Sequence, residues 1–330
     1  MPTLSQRLLT LLQFTRLALV FTAISNGWAA MLLQAKATAA PLEPAYCVAM
    51  TIVSIGLYTF GMTLNDLIDR RRDRQIASHR PLPSGRISVR TAHGICVLLG
   101  LFAVGGGVWM AMLHRGQWIS LIVLLWTMGL IAFYDFAGKY LVATGLLSLG
   151  LIRFFHSTIA APTLAVPWHA IVLLLHVTIL STICYGLEGK RPRLTRGHVA
   201  TVSLGLMLVV GVLISVLAER VRLTAVPWRI ALWWTPGLLY VGAAIATFTA
   251  VAITIRVQTP DRRRAGRTIM LYGLLWLIVY DASFVLGYVG WKWALVVAAL
   301  LPVSMLCVQL TRWWSQLIEL AGKPQYQRAR

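Results

Sequence analysis

The sequence predicts an all-α, polytopic transmembrane helical bundle, and three observations carry that expectation. The 330-residue chain is 58% hydrophobic and only 12% charged, about half the charged fraction of a soluble domain. Apolar runs of about 20 residues, the length a helix needs to cross a bilayer, recur from end to end. The net charge of +20 comes from arginines and lysines gathered in the gaps between those runs. That is how basic residues flank membrane spans, and it speaks against a nucleic-acid partner. Only helices and closed barrels satisfy their backbone groups in lipid, and runs this long mean helices.

Ten spans follow in order. The first, about 14–34, comes after Arg7 and Arg16 and is longer than a signal-peptide core. With no small-residue cleavage site it reads as a retained helix. The second, about 44–66, runs into a segment with seven basic residues between 70 and 90. The third (88–112) and fourth (117–134) are joined across Arg115. The fifth (140–161) starts after Lys139 and encloses Arg153, and the sixth (167–187) leads into Lys190, Arg191, Arg193 and Arg196. The seventh (199–217) and eighth (230–255) flank Arg220, Arg222 and Arg229. The ninth (268–289) follows five basic residues at 256–267, and the tenth (293–312) follows Lys292. A cytoplasmic N-terminus then places 23 of the 30 Lys and Arg on the cytoplasmic side and 6 opposite, with Arg153 inside a span. Such a bias fixes the expected orientation.

No loop is long enough to bury a soluble core, so residues 1–330 read as a single integral-membrane domain. The four cysteines, Cys47, Cys96, Cys184 and Cys307, lie far apart without CxxC spacing, which suggests neither a disulfide framework nor a metal site.

The chemistry-bearing stretch is "GMTLNDLIDRRRDRQIASHRPLPSG", residues 61–85. Three of the chain's ten acidic residues, Asp66, Asp69 and Asp73, fall in it within eight positions. On a helix at 100° per residue they lie within about 60° of one another, and Asn65 lies about 40° beyond Asp69. Like charges this close repel unless a cation stands between them. Hard oxygen donors on one face suit Mg²⁺, which takes one or two carboxylates plus waters and substrate phosphates. The neighbouring Arg70, Arg71, Arg72 and Arg74 offer a second solution, neutralising the carboxylates or meeting phosphate oxygens. A solvated, salt-bridged helix end is the plain alternative.

The run Asn65-Asp66-Leu67-Ile68-Asp69-Arg70-Arg71-Arg72-Asp73-Arg74, with Arg80-Pro81-Leu82-Pro83-Ser84-Gly85 after it, resembles the first aspartate-rich motif of the UbiA superfamily of intramembrane prenyltransferases. The resemblance implies a UbiA-like bundle, for which nine helices are expected. It also implies Mg²⁺ as cofactor, a polyprenyl diphosphate and a small acceptor as partners, and metal and diphosphate binding by Asn65, Asp66, Asp69 and Asp73. Arg74 and Arg80 would support or contact the phosphates. "FYDFAGK", residues 133–139, is similar to the segment after the family's fourth helix, giving Tyr134 and Lys139 diphosphate-holding roles. A second aspartate-rich motif is expected after the sixth helix. Residues 184–198, "CYGLEGKRPRLTRGH", hold no aspartate there; Glu188 is the one carboxylate, beside Lys190, Arg191 and Arg193. This departure implies either basic side chains serving a phosphate in place of a metal, or retained lipid-phosphate binding without transfer. The opening "RLALVFTAISNGWAA" is similar to a divergent bacterial subgroup, which points to the bacterial cytoplasmic membrane.

Arg153 and Asp281 each lie about 13 residues, or about 20 Å, from the cytoplasmic ends of their spans. A charge at that depth should be paired or face a wet cavity, so both are expected to face the interior and to pair with each other. His156 shares the Arg153 face, and Asn26 and His176 lie at similar depth, so that together with Arg153 as a substrate-binding candidate they could polarise a pocket wall or hold an acceptor's polar group; a buried ion pair that locks helix packing is the plain alternative. Trp28, Tyr185, Trp276 and Tyr280 are candidates for lining an isoprenoid pocket. Prenyl transfer within the membrane is the function expected. Its rivals are a non-catalytic isoprenoid- or lipid-phosphate-binding protein and a transporter.

Overall fold

The computed structural model describes residues 4–113, 118–163, 166–224 and 235–322. It contains twelve α-helices among the described residues: α1 (Leu4–Phe14), α2 (Phe21–Thr38), α3 (Pro44–Ile76), α4 (Val89–Leu113), α5 (Ile119–Phe136), α6 (Val142–Ala160), α7 (Pro167–Glu188), α8 (Arg196–Thr224), α9 (Leu238–Gln258), α10 (Arg262–Tyr288), α11 (Trp291–Ala298) and α12 (Leu300–Gly322). Ten helical stretches are long and apolar enough to cross a membrane, matching the ten spans read from the sequence in number and order. The expected span starts at 117 and 230, together with Arg115 and Arg229, lie outside the described residues. All four cysteines are unbridged.

Local sequence explains the punctuation. Pro44 and Pro167 open α3 and α7 in the first turn, where a missing N–H costs nothing. Gly189 closes α7 in the left-handed conformation at φ 62°, the usual use of a glycine after a helix. The tenth span is divided at Ala299 between α11 and α12. Pro302 accounts for the break, because its ring collides with the carbonyl four residues back, at Ala298 where α11 ends. The first span, Leu17–Thr38, is preceded by the separate short helix α1. Between α1 and α2, Arg16 sits in left-handed backbone at φ 49°, followed by a 3-10 turn at Leu17–Leu19.

The helices form an inner and an outer set. α2 packs on α3, α6 and α10, α7 packs on α6 and α10, and α5 packs on α3 and α6. Facing residues of α2 through α6 make the largest buried cluster, including Met50, Val53, Leu57, Ala103, Leu124 and Ile159. Small residues let backbones approach: a Cβ on Gly56 would lie 2.7 Å from the Ala103 amide nitrogen of α4, and one on Gly150 would lie 2.7 Å from the Leu174 carbonyl of α7. Such contacts drive helix association where lipid removes the hydrophobic advantage. α8 and α9 stand outside and expose Leu204, Met207, Leu208, Leu239, Ile253 and Val257, as lipid-facing helices do. α1 buries Leu9, Thr10 and Phe14 while exposing Leu4, Leu8 and Leu11. It contacts α3 and α12, and Trp314 Nε1 donates to Ser5 Oγ at 3.0 Å.

Candidate active site

α3 continues unbroken ten residues past Asp66 to Ile76, so the helical spacing of the acidic cluster is realised. Asp66 and Asp73 are each 3% exposed and turn toward the protein. Asp66 Oδ1 accepts from Arg16 Nη2 at 2.7 Å and lies 3.8 Å from Arg80 Nη1. The same Arg80 nitrogen donates to Asp73 Oδ2 at 2.6 Å. Arg80 is held there by its own loop: Leu82, two residues on, is buried against Phe14, Leu67, Ala92 and Cys96, and Gly85 supplies the positive φ of 76° that turns the chain.

The other carboxylates meet across helices. Lys139 Nζ, in the short turn after α5, lies 2.8 Å from Asp69 Oδ1 and 3.3 Å from Asp135 Oδ1. Asn65 Nδ2 donates to Asp135 Oδ1 at 2.6 Å. Four carboxylates on two helices are therefore interleaved with three cations, Arg16, Arg80 and Lys139, which removes the repulsion they would otherwise feel. Arg16 and Asp135 were not singled out in the sequence. Asp135 carried one signal, that it is one of only ten acids; Arg16 carried none beyond flanking a span.

This group sits at one end of a cavity of about 280 Å³ between α2, α3, α5, α6, α7 and α10. Arg16, Asn65, Tyr134 and Asp135 form its polar mouth; Leu57, Ile131, Leu149 and Ile152 are among its apolar walls; Arg153 and His156 lie at its far end. Of the expected residues, Asn65, Asp66, Asp69, Asp73, Arg80, Tyr134 and Lys139 are thus brought together. Arg74 and Arg191 are exposed and have no hydrogen bond or ion pair among the described residues. Glu188, the last residue of α7, and Lys190 just beyond it pair with each other at 3.3 Å. Trp28, Tyr185, Trp276 and Tyr280 do not line this cavity: Trp28 donates to Thr51, Tyr185 to the Pro192 carbonyl and Trp276 to the Ala244 carbonyl. Tyr280 lines a separate lipid-side groove with His176.

The expected Arg153–Asp281 pair is not formed. Asp281 is fully buried and accepts from Ser25 Oγ at 2.7 Å, with His169 Nε2 2.7 Å from its other oxygen. Arg153 instead reaches α2 one turn earlier, where Nη2 donates to Thr22 Oγ1 at 3.1 Å. Both charges face the interior at similar depth, but α2 supplies each with a different partner.

The donor set is compatible with Mg²⁺. The ion pairs of Asp66, Asp69, Asp73 and Asp135 each engage one carboxylate oxygen, Oδ1, Oδ1, Oδ2 and Oδ1 respectively. Hard oxygens near basic groups suit an ion that completes its shell with phosphate and water. Among the described residues no three His, Cys, Asp or Glu side chains converge as a ready cage.

Residues 19–161 match the model of the UbiA prenyltransferase family, a stretch that includes Asn65, Asp66, Asp69, Asp73, Arg80, Tyr134, Lys139 and Arg153. The fold is similar to that of a digeranylgeranylglyceryl phosphate synthase at 15% identity and a TM-score of 0.56, over 86% of this chain and 99% of that one. A UbiA homolog from Aeropyrum pernix K1 is 16% identical with a TM-score of 0.49, over 79% and 97%. One from Archaeoglobus fulgidus bound to GPP and Mg²⁺ is 13% identical with a TM-score of 0.46, over 91% and 99%. No curated protein matches the sequence.

Proposed function

We propose that this chain, whose residues 19–161 match the UbiA prenyltransferase family model, is a member of that superfamily and transfers a prenyl group from a polyprenyl diphosphate to a small lipophilic acceptor inside the membrane. One observation carries the reading: a cluster of carboxylates, an amide and three cations stands at the mouth of an apolar cavity enclosed by membrane-spanning helices. Phosphates need the first, and an isoprenoid needs the second.

In this reading the whole chain is one integral-membrane domain, with the mouth on the cytoplasmic side. Lys139, Arg80 and Arg16 face the diphosphate, and Arg74 from the last turn of α3 and Lys190 and Arg191 from the loop after α7 meet it, with Glu188 setting Lys190. Asn65, Asp66, Asp69 and Asp73 hold Mg²⁺, which supplies neutralisation of the departing negative charge. The bond between the allylic carbon and the diphosphate oxygen breaks, and its electron pair leaves with the diphosphate. Fixed cations in a water-poor site stabilise that charge as it develops. The allylic cation is left among apolar walls beside Tyr134, whose ring face favours positive charge. There the acceptor donates the new bond's electron pair and then sheds a proton.

The test is transfer of radiolabelled prenyl diphosphates into membrane extracts, with and without Mg²⁺. The wild type gives labelled product that Asp69→Ala abolishes. Binding of prenyl diphosphate without transfer to any acceptor would replace this reading with that of a lipid-phosphate-binding protein. The loop after α7 favours that second reading, because its single carboxylate, Glu188, is already engaged by Lys190.

A further inference from the structure

A second hollow lies on the lipid side of the bundle. α7 and α9 each pack on α10, and a cleft of about 550 Å³ runs between them. Ile179 and Ile183 of α7 and Ile245 and Ile253 of α9 form its lips, and all four are exposed. On α9 the lining runs from Ile245 to Val257, about 18 Å along the axis. That is close to half of the ~30 Å hydrocarbon core, the depth of one leaflet. Rings close the inner end, where His176 stands 4.9 Å from Phe248 and 4.8 Å from Tyr280. His176 Nε2 donates to the Gly273 carbonyl at 2.9 Å, and Thr249 Oγ1 to the Ile245 carbonyl at 2.9 Å. The cleft and the central cavity lie on opposite sides of the α7–α10 seam: Leu180 lines one, and Val177, Ser181 and Leu274 line the other.

The outer end of the cleft is cationic. Arg256 lines it there, half-buried, and its hydrogen bond goes to the Thr259 carbonyl at a long 3.5 Å. Arg262, Arg263, Arg264 and Arg267 follow on the first turns of α10, all exposed. Among the described residues none of these arginines is in an ion pair. The nearby carboxylates are occupied. Asp261 caps α10 by accepting from the Arg263 backbone N–H, and Glu188, beside Gly266, is engaged by Lys190.

An apolar trough one leaflet deep, with uncompensated cations at its outer end, matches one class of ligand. Any lipid tail can fill the trough, so the charge at the rim makes the choice. Basic pockets between membrane spans select anionic headgroups in this way. We propose that the cleft between α7 and α9 is a binding site for an anionic phospholipid. Its phosphate sits on Arg256, and one acyl chain lies down the trough toward Phe248 and His176, bridging α9 to α7. The site is distinct from the cavity assigned to the prenyl donor and does not depend on the prenyl-transfer reading.

The test is native mass spectrometry of the full chain, delipidated and then exposed to equimolar phosphatidylglycerol and phosphatidylcholine of the same acyl chains. The wild type retains phosphatidylglycerol at least about fivefold over phosphatidylcholine, the effect of one basic residue at an anionic headgroup. Arg256→Gln removes most of that preference. Thr249→Trp, at an exposed position on the cleft wall, blocks the trough and loses the retained lipid whatever its headgroup. Arg7→Gln, which removes an equal charge from α1, leaves the preference intact. Farnesyl diphosphate, the rival occupant, is titrated separately and binds the wild type and both cleft variants alike. The proposal is overturned if phosphatidylglycerol is not preferred, if Arg256→Gln or Thr249→Trp keeps the wild-type preference, or if Arg7→Gln abolishes it. It is overturned equally if the cleft variants lose farnesyl diphosphate.

Discussion

Asp281 is the residue whose role changed most between sequence and structure. Its depth was legible, because 1.5 Å per residue gives the height of any position in a span. Its partner was not, because height says nothing of the direction in which a side chain points once helices are packed. His169 and Ser25 hold it from two other helices. Asp281→Ala should therefore lower stability by about 3–5 kcal/mol, the cost of breaking a buried charged contact, with Asp281→Asn less harmful, both read by thermal unfolding in nanodiscs. Exchanging the charges, Arg153→Asp with Asp281→Arg, should give no rescue over either single variant. Arg16 poses the opposite problem. Left-handed backbone at φ 49° costs a non-glycine residue roughly 1–2 kcal/mol, a strain tolerated where the side chain is needed at Asp66. Arg16→Gly should recover about 1 kcal/mol of that strain, offsetting part of the lost ion pair, while prenyl transfer falls at least about tenfold. Transfer at wild-type level in that variant would remove Arg16 from the site.

At the scale of helices, the motif on α3 was readable because its residues are neighbours on one continuous helix. The contacts Asn65–Asp135 and Asp69–Lys139 cross to α5 and the turn after it, and no periodicity within either segment encodes them. Lys139 was reached through resemblance to a known motif, whereas Asp135 was passed over. The α3–α4 contact makes a separate prediction. A Cβ on Gly56 meets the Ala103 backbone, and one on Gly94 of the same pair meets nothing. Gly56→Leu should cost 1–3 kcal/mol or more through overpacking against backbone that cannot yield. Gly94→Ala should be neutral or stabilising by up to about 1 kcal/mol, since it only removes a glycine from a helix. The pair can be compared directly by unfolding midpoint, and equal losses would contradict the close approach.

At the scale of the molecule, ten spans were legible because lipid forces long apolar runs, and the basic residues between them mark alternate loops. The orientation makes its own prediction. In a background with Cys47, Cys96, Cys184 and Cys307 replaced, Ser78→Cys and Arg191→Cys should react with an impermeant maleimide only from the cytoplasmic side, and Lys292→Cys only from the other. Labelling of positions 78 and 191 from opposite sides would break the topology. The N-terminal helix carries one last consequence. α1 presents leucines outward and is fastened to α12, and its final residue, Phe14, lies two positions before Arg16. The membrane surface, the N-terminal helix and the cation on Asp66 therefore form a short mechanical linkage. A tilt of α1 would shift Arg16 against Asp66, so transfer measured in bilayers of differing headgroup composition is expected to vary with the lipid.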